Sequence, residues 1–84
     1  MENPFWLNEL IDVMLKIKTK KEMIDFLRGI LTPKELNQLS TRLQIVKMLK
    51  NGMNQKNIAM SLRVGIATVT RGSRELKLGR FQNI

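Results

Sequence analysis

Apolar residues recur at intervals of three and four along most of the chain, with few turn signals between them, which is an all-α pattern. Asn3-Pro4 reads as a helix start, with Asn as the cap and Pro at the first helical position. The run that follows (Phe5, Trp6, Leu7, Leu10, Ile11, Val13, Met14, Ile17) is apolar almost all round. A helix of that kind is buried on more than one side, and in a short chain a partner subunit is the expected cover. Thr19-Lys20-Lys21-Glu22 has capping-box spacing and predicts a short helix to about Ile30. Thr32-Pro33-Lys34-Glu35 is a second box, opening a longer helix that ends near Asn51-Gly52.

Two short helices follow, one from about Asn54 to Leu62 and one starting near Gly65, with Arg63-Val64-Gly65 between them. Counted from Gln55, apolar residues fall at the fourth, eighth, tenth and fifteenth places, which are Ile58, Leu62, Val64 and Val69. Ala59, the fifth, is small where two crossing helices would approach most closely. This is helix-turn-helix spacing, and it places the second helix as the one that enters a major groove. The turn position often held by Gly is Arg63. Left-handed backbone there costs a side chain about 1–2 kcal/mol, unless Gly65 relaxes the turn instead.

The 84 residues predict one domain, with 1–52 as N-terminal helices forming a dimer core, 53–77 as the helix-turn-helix and 78–84 as a flexible tail. So short a chain is marginal alone, and with no Cys it has no disulfide staple. Oligomerisation is the remaining remedy. There is no His either, nor a pair of carboxylates at a plausible site, nor a phosphate-cradling Gly loop, so the expectation is no enzyme, no metal and no cofactor. The acidic N-terminus and the lack of an apolar run near ~20 residues argue against a signal peptide or membrane span, leaving the cytoplasm as the default.

The net charge of +8 is unevenly distributed. Residues 1–40 carry six basic and six acidic side chains, whereas residues 41–84 carry nine basic ones and a single acid, Glu75. A basic half beside a neutral, apolar half points to a polyanion on one side and self-association on the other. On the second short helix, Gly65, Ile66, Ala67, Thr68 and Thr70 lie where base edges would be met. Small apolar groups suit thymine methyls, and Thr suits a base edge or an ordered water. Gln55 and Lys56 are placed to hold the DNA backbone. Lys50, Arg63, Arg74 and Lys77 add attraction that weakens with salt. None of these is a strong bidentate base reader, so discrimination is expected to be soft.

GIATVTRGSRELK, preceded by LTPKELNQLSTRLQIVKMLKNGMNQKNIA, closely resembles the Trp repressor family over roughly residues 30–77, and weakly back to residue 5. The resemblance implies an intertwined all-helical homodimer that binds palindromic operators in double-stranded DNA through partly water-mediated contacts, with L-tryptophan as corepressor. By resemblance, Arg42 and Arg71 would sandwich the indole, which a guanidinium plane does well. Thr32 would orient the ligand carboxylate, carbonyls of Gly29 and Leu31 would hold its ammonium, and Gly72 would lie against the ring. Thr32 is equally explained as a cap, and Arg42 as a surface ion-pair partner.

Three positions depart from the family pattern. Gly29 stands where a larger aliphatic residue is usual. Glu75 stands where a serine assists ammonium binding; it could hold an ammonium more strongly, or pair with Arg71 or Arg74 and block the site. The linker Asn51-Gly52-Met53 is one residue short, and no counterpart of the C-terminal helix of longer repressors is expected within these 84 residues. Two rival readings follow: a DNA-binding regulator of the same fold without this ligand, and a basic helical module that binds RNA or an acidic partner.

Overall fold

A computed structural model describes residues 1–84, with five helices and no strand: α1 (Pro4–Lys16), α2 (Lys20–Ile30), α3 (Pro33–Lys50), α4 (Gln55–Leu62) and α5 (Ile66–Lys77). The chain divides into two compact units, Met1–Leu36 and Asn37–Ile84, so the division falls inside α3.

In the first unit, local chemistry sets the helix starts. The Asn3 side chain accepts from the amides of Phe5 (2.9 Å) and Trp6 (3.2 Å), and Pro4 follows it. Thr19 accepts from the Glu22 amide at 3.1 Å, but the Glu22 carboxylate takes the Thr19 hydroxyl at 3.0 Å instead of the Thr19 amide. The Thr32 box is reciprocal: the Thr32 amide donates to Glu35 Oε1 (2.9 Å) and the Glu35 amide donates to Thr32 Oγ1 (3.1 Å). The Thr32 backbone bond, and then its side-chain bond, lower the Glu35 pKa by favouring the carboxylate. No side chain of α1 or α2 is fully buried. Phe5 and Trp6 remain 81% and 72% exposed within this chain, far more than large apolar groups on one helix face usually are.

The second unit holds the core. Ile45 of α3, Ile58 of α4 and Val69 of α5 are fully buried and form one cluster, with Met48, Leu49, Ala59, Leu62 and Val64 packed around it. The four apolar positions counted from Gln55, together with small Ala59, thus all join one cluster with α3, as the spacing requires.

Each helix of this unit closes the same way. Behind α3 the Gly52 and Met53 amides donate to the carbonyls of Leu49 and Met48; behind α5 the Gly79 and Arg80 amides donate to Leu76 and Glu75. These paired bonds, around a left-handed residue, satisfy the last free carbonyls of the helix. Gly52 (φ 84°) and Gly79 (φ 96°) supply that conformation without strain. Behind α4 the same pair forms from Arg63 and Val64 to Met60 and Ala59, and Arg63 itself is left-handed at φ 55°, ψ 47°. Gly65 does not relax the turn: it is extended, at φ −67° and ψ 145°. The strain at Arg63 is offset by the contact that the motif makes between Val64 and the core.

Candidate nucleic-acid interface

α4 and α5 pack against one another through the three-residue turn Arg63-Val64-Gly65, in the order of a helix-turn-helix. Val69 on α5 turns inward, with Gly72 and Leu76 on the same side. The opposite side presents Ile66, Ala67, Thr70, Arg74 and Lys77, all exposed, at helical spacing. Thr68 is half-buried. Gly65 precedes the helix as its N-terminal boundary and makes no side-chain cap; its carbonyl takes the Thr68 amide, and the amides of Ile66 and Ala67 lie ahead of that bond. Gln55 and Lys56 open α4 behind Asn54, which caps it by accepting from the Asn57 amide at 2.8 Å. Lys56 is exposed; Gln55 is half-buried, and its Oε1 lies 2.8 Å from the Thr70 hydroxyl. Arg63 is exposed on the turn.

Lys50 has partners within the chain. Its ammonium donates to the carbonyl of Phe81 and to the backbone oxygen at Ile84, so it reaches back from the end of α3 to residues 81–84. No pattern signals this in the sequence, because the partners are backbone groups more than thirty positions away.

The residues expected around a ligand fall in both units. Gly29, in the last turn of α2, and Leu31 and Thr32, between α2 and α3, belong to the first. Arg42, Arg71, Gly72 and Glu75 belong to the second. Gly72 faces α3: a Cβ there would stand 3.2 Å from Ile45 Cγ2 and 3.5 Å from Leu49 Cδ1. Arg42 lies three residues before Ile45, and Arg71 adjoins Gly72, so both exposed arginines lie within one helical turn of that crossing. Glu75 pairs with neither Arg71 nor Arg74. Its carboxylate meets Arg80 Nε at 2.7 Å. Arg80 carried no signal as a site residue, since it lies beyond the end of α5 and reaches back only through the left-handed turn at Gly79. Around Gly29 a Cβ would meet nothing within 4 Å.

The family described as Trp repressor protein matches residues 6–83. The chain belongs to the Trp repressor family. Among its relatives, the Trp operon repressor homolog of Vibrio vulnificus (strain YJ016) is 39% identical over 71 residues, which is 83% of this chain and 70% of that protein. The Trp operon repressor homolog of Photobacterium profundum is 37% identical over 70 residues, 82% of this chain and 68% of that one. That of Vibrio campbellii (strain ATCC BAA-1116) is 47% identical over 49 residues, 57% of this chain and 49% of the relative. Trp repressors are transcription regulators and not enzymes, and membership accords with the absence of His and Cys chemistry here. No helix is long and apolar enough to cross a membrane.

Proposed function

We propose that this Trp repressor family member is a cytoplasmic, homodimeric, sequence-specific DNA-binding repressor that recognises a palindromic operator. The observation that carries the reading is the exposed face of α5: Ile66, Ala67 and Thr70 at its N-terminal end, Arg74 and Lys77 beyond, in the half of the chain that holds the whole charge excess. Gly65 sets the start of that face, and Thr68 lies beside it. Gln55, Lys56 and Arg63 flank it and would grip phosphates, which position the protein without specifying sequence. The exposed apolar side chains of α1, Phe5 and Trp6 among them, support a second copy of the chain as their cover. Two heads set about one DNA turn apart, roughly 34–36 Å, would read the two half-sites.

L-Tryptophan is the corepressor this reading favours, with its indole between Arg42 and Arg71 beside Gly72 and Glu75 in the second unit; the roles of Thr32, Gly29 and Leu31 rest on the family resemblance alone. The ligand regulates only if it binds one orientation of the heads better than another. Calorimetry with L-tryptophan, with and without a selected palindromic duplex, tests this: binding in both titrations, tighter in the presence of duplex, is expected. Equal duplex affinity with and without tryptophan removes the corepressor.

A ligand-independent regulator of the same fold is the second reading, and two observations favour it. Ile45 and Leu49 already account for the glycine at 72, and Glu75 already has a counter-ion in Arg80.

A further inference from the structure

Two acceptors converge on the Thr70 hydroxyl. Its Oγ1 lies 2.8 Å from Gln55 Oε1 and 3.0 Å from the carbonyl oxygen of Ile66. A hydroxyl has one proton and two lone pairs, so the proton goes to one of these neighbours or is shared between them. With Gln55 Oε1 facing Thr70, both inward neighbours are acceptors, so the proton stays inside the protein and what Thr70 offers outward is a lone pair. Thr70 is nonetheless exposed, on the same face as Ile66 and Ala67. Gln55 is half-buried and spans from the first position of α4 to the second turn of α5, so its Oε1 is committed across the helix pair and its Nε2 is the end left for a phosphate.

We infer that Thr70 meets duplex DNA only as a hydrogen-bond acceptor, pinned in that state by Gln55 as a positioning residue, and so selects an exocyclic amino group, adenine N6 or cytosine N4, in the major groove. The inference rests on the DNA-binding reading above and adds which chemical edge this position takes. Thymine O4 and guanine O6 and N7 are acceptors, and they face Thr70 lone pair against lone pair. Each base pair carries one major-groove amino group, on one strand. The selection is therefore between a base pair and its reversal. One neutral hydrogen bond gained or lost sets its size at about 3- to 10-fold.

The test uses the full chain with L-tryptophan present and a pool of palindromic duplexes with randomised half-sites. The position that Thr70 faces is the one whose preference changes in Thr70→Val, a change of similar shape on an exposed site. Wild type is expected to prefer adenine or cytosine there on one strand, and to lose about 3- to 10-fold on reversal of the base pair or on replacing the base with an analogue lacking the amino group. Thr70→Ser keeps the preference and Thr70→Val abolishes it. Gln55→Leu narrows the preference, whereas Gln55→Glu, which still accepts from Thr70, keeps it while weakening binding to every duplex. A preference for thymine or guanine at that position, an unchanged preference in Thr70→Val, or a uniform loss of affinity for all duplexes overturns the inference while DNA reading stands. An unchanged preference in Gln55→Leu overturns the positioning role. Equal wild-type binding to all duplexes overturns both this inference and the DNA reading beneath it.

Discussion

Gly72 sits so close to Ile45 that a methyl group on its Cα would stand 3.2 Å from the Ile45 Cγ2 atom. Ile45 is a β-branched side chain locked in a helix and fully buried against Ile58 and Val69, so that methyl has little room to give way. The glycine in the middle of α5 is therefore explained by the α3–α5 crossing of the same chain.

The consequence is a contrast between two helical glycines. Gly72→Ala gains about 1 kcal/mol of helix propensity but overpacks a tight core, which costs about 1–3 kcal/mol. A net loss of about 1 kcal/mol is expected in denaturant unfolding. Gly29→Ala meets open space and should gain about 0.5–1 kcal/mol. A stabilised Gly72→Ala variant would show that α5 can draw away from α3.

Arg63 has left-handed backbone that a side chain tolerates poorly. Arg63→Gly is expected to raise stability by about 0.5–1 kcal/mol, because the relief at the turn exceeds the added freedom of the unfolded chain. The same change removes a cation from the proposed interface. The slope of log affinity against log salt should fall in magnitude by about 1. More stable protein with weaker, less salt-sensitive duplex binding is the combined signature.

The Glu35 cap makes stability depend on acid. Its folded pKa is lowered by the bonds from Thr32, so the stability it gives is present above the ordinary Glu value of about 4.3 and is lost as pH falls through and below it. Glu35→Gln should flatten this part of the stability profile, lowering stability at neutral pH and leaving the acid end little changed. Thermal melts across the acid range check this, and an unaltered profile in the variant would place the acid sensitivity elsewhere.

Lys50 holds residues 81–84 in place through the Phe81 carbonyl and the backbone oxygen at Ile84. Lys50→Met is expected to speed amide hydrogen exchange and proteolysis at residues 80–84, with the α3–α5 core unaffected. Its effect on the salt dependence of duplex binding should be smaller than that of Arg74→Ala, since Arg74 is exposed on the reading face. Equal effects would mean that Lys50 leaves the tail for DNA.

Much of this protein is written locally. Asn3-Pro4 and the Thr-x-x-Glu runs at 19 and 32 mark helix starts because a cap and its amides lie within three residues of one another. Asn51-Gly52 marks a stop for the same reason. The spacing from Gln55 to Val69 reads out the helix pair because a helix repeats its inward face every three or four residues. The unequal charge of the two halves points to a polyanion, and the run GIATVTRGS carries the family resemblance. Tertiary structure decided what no spacing encodes. Which arginine Glu75 pairs with depends on how the chain turns at Gly79, and the partner is Arg80, not Arg71 or Arg74. The strained residue of the turn is Arg63, because only there does the backbone return Val64 to the core. The Thr70 hydroxyl is occupied by Gln55, fifteen residues earlier. The reason for the glycine at 72 lies on α3, in an isoleucine twenty-seven positions away. Contacts of that kind are set by where helices cross, and a one-dimensional pattern specifies which faces meet but not which atoms.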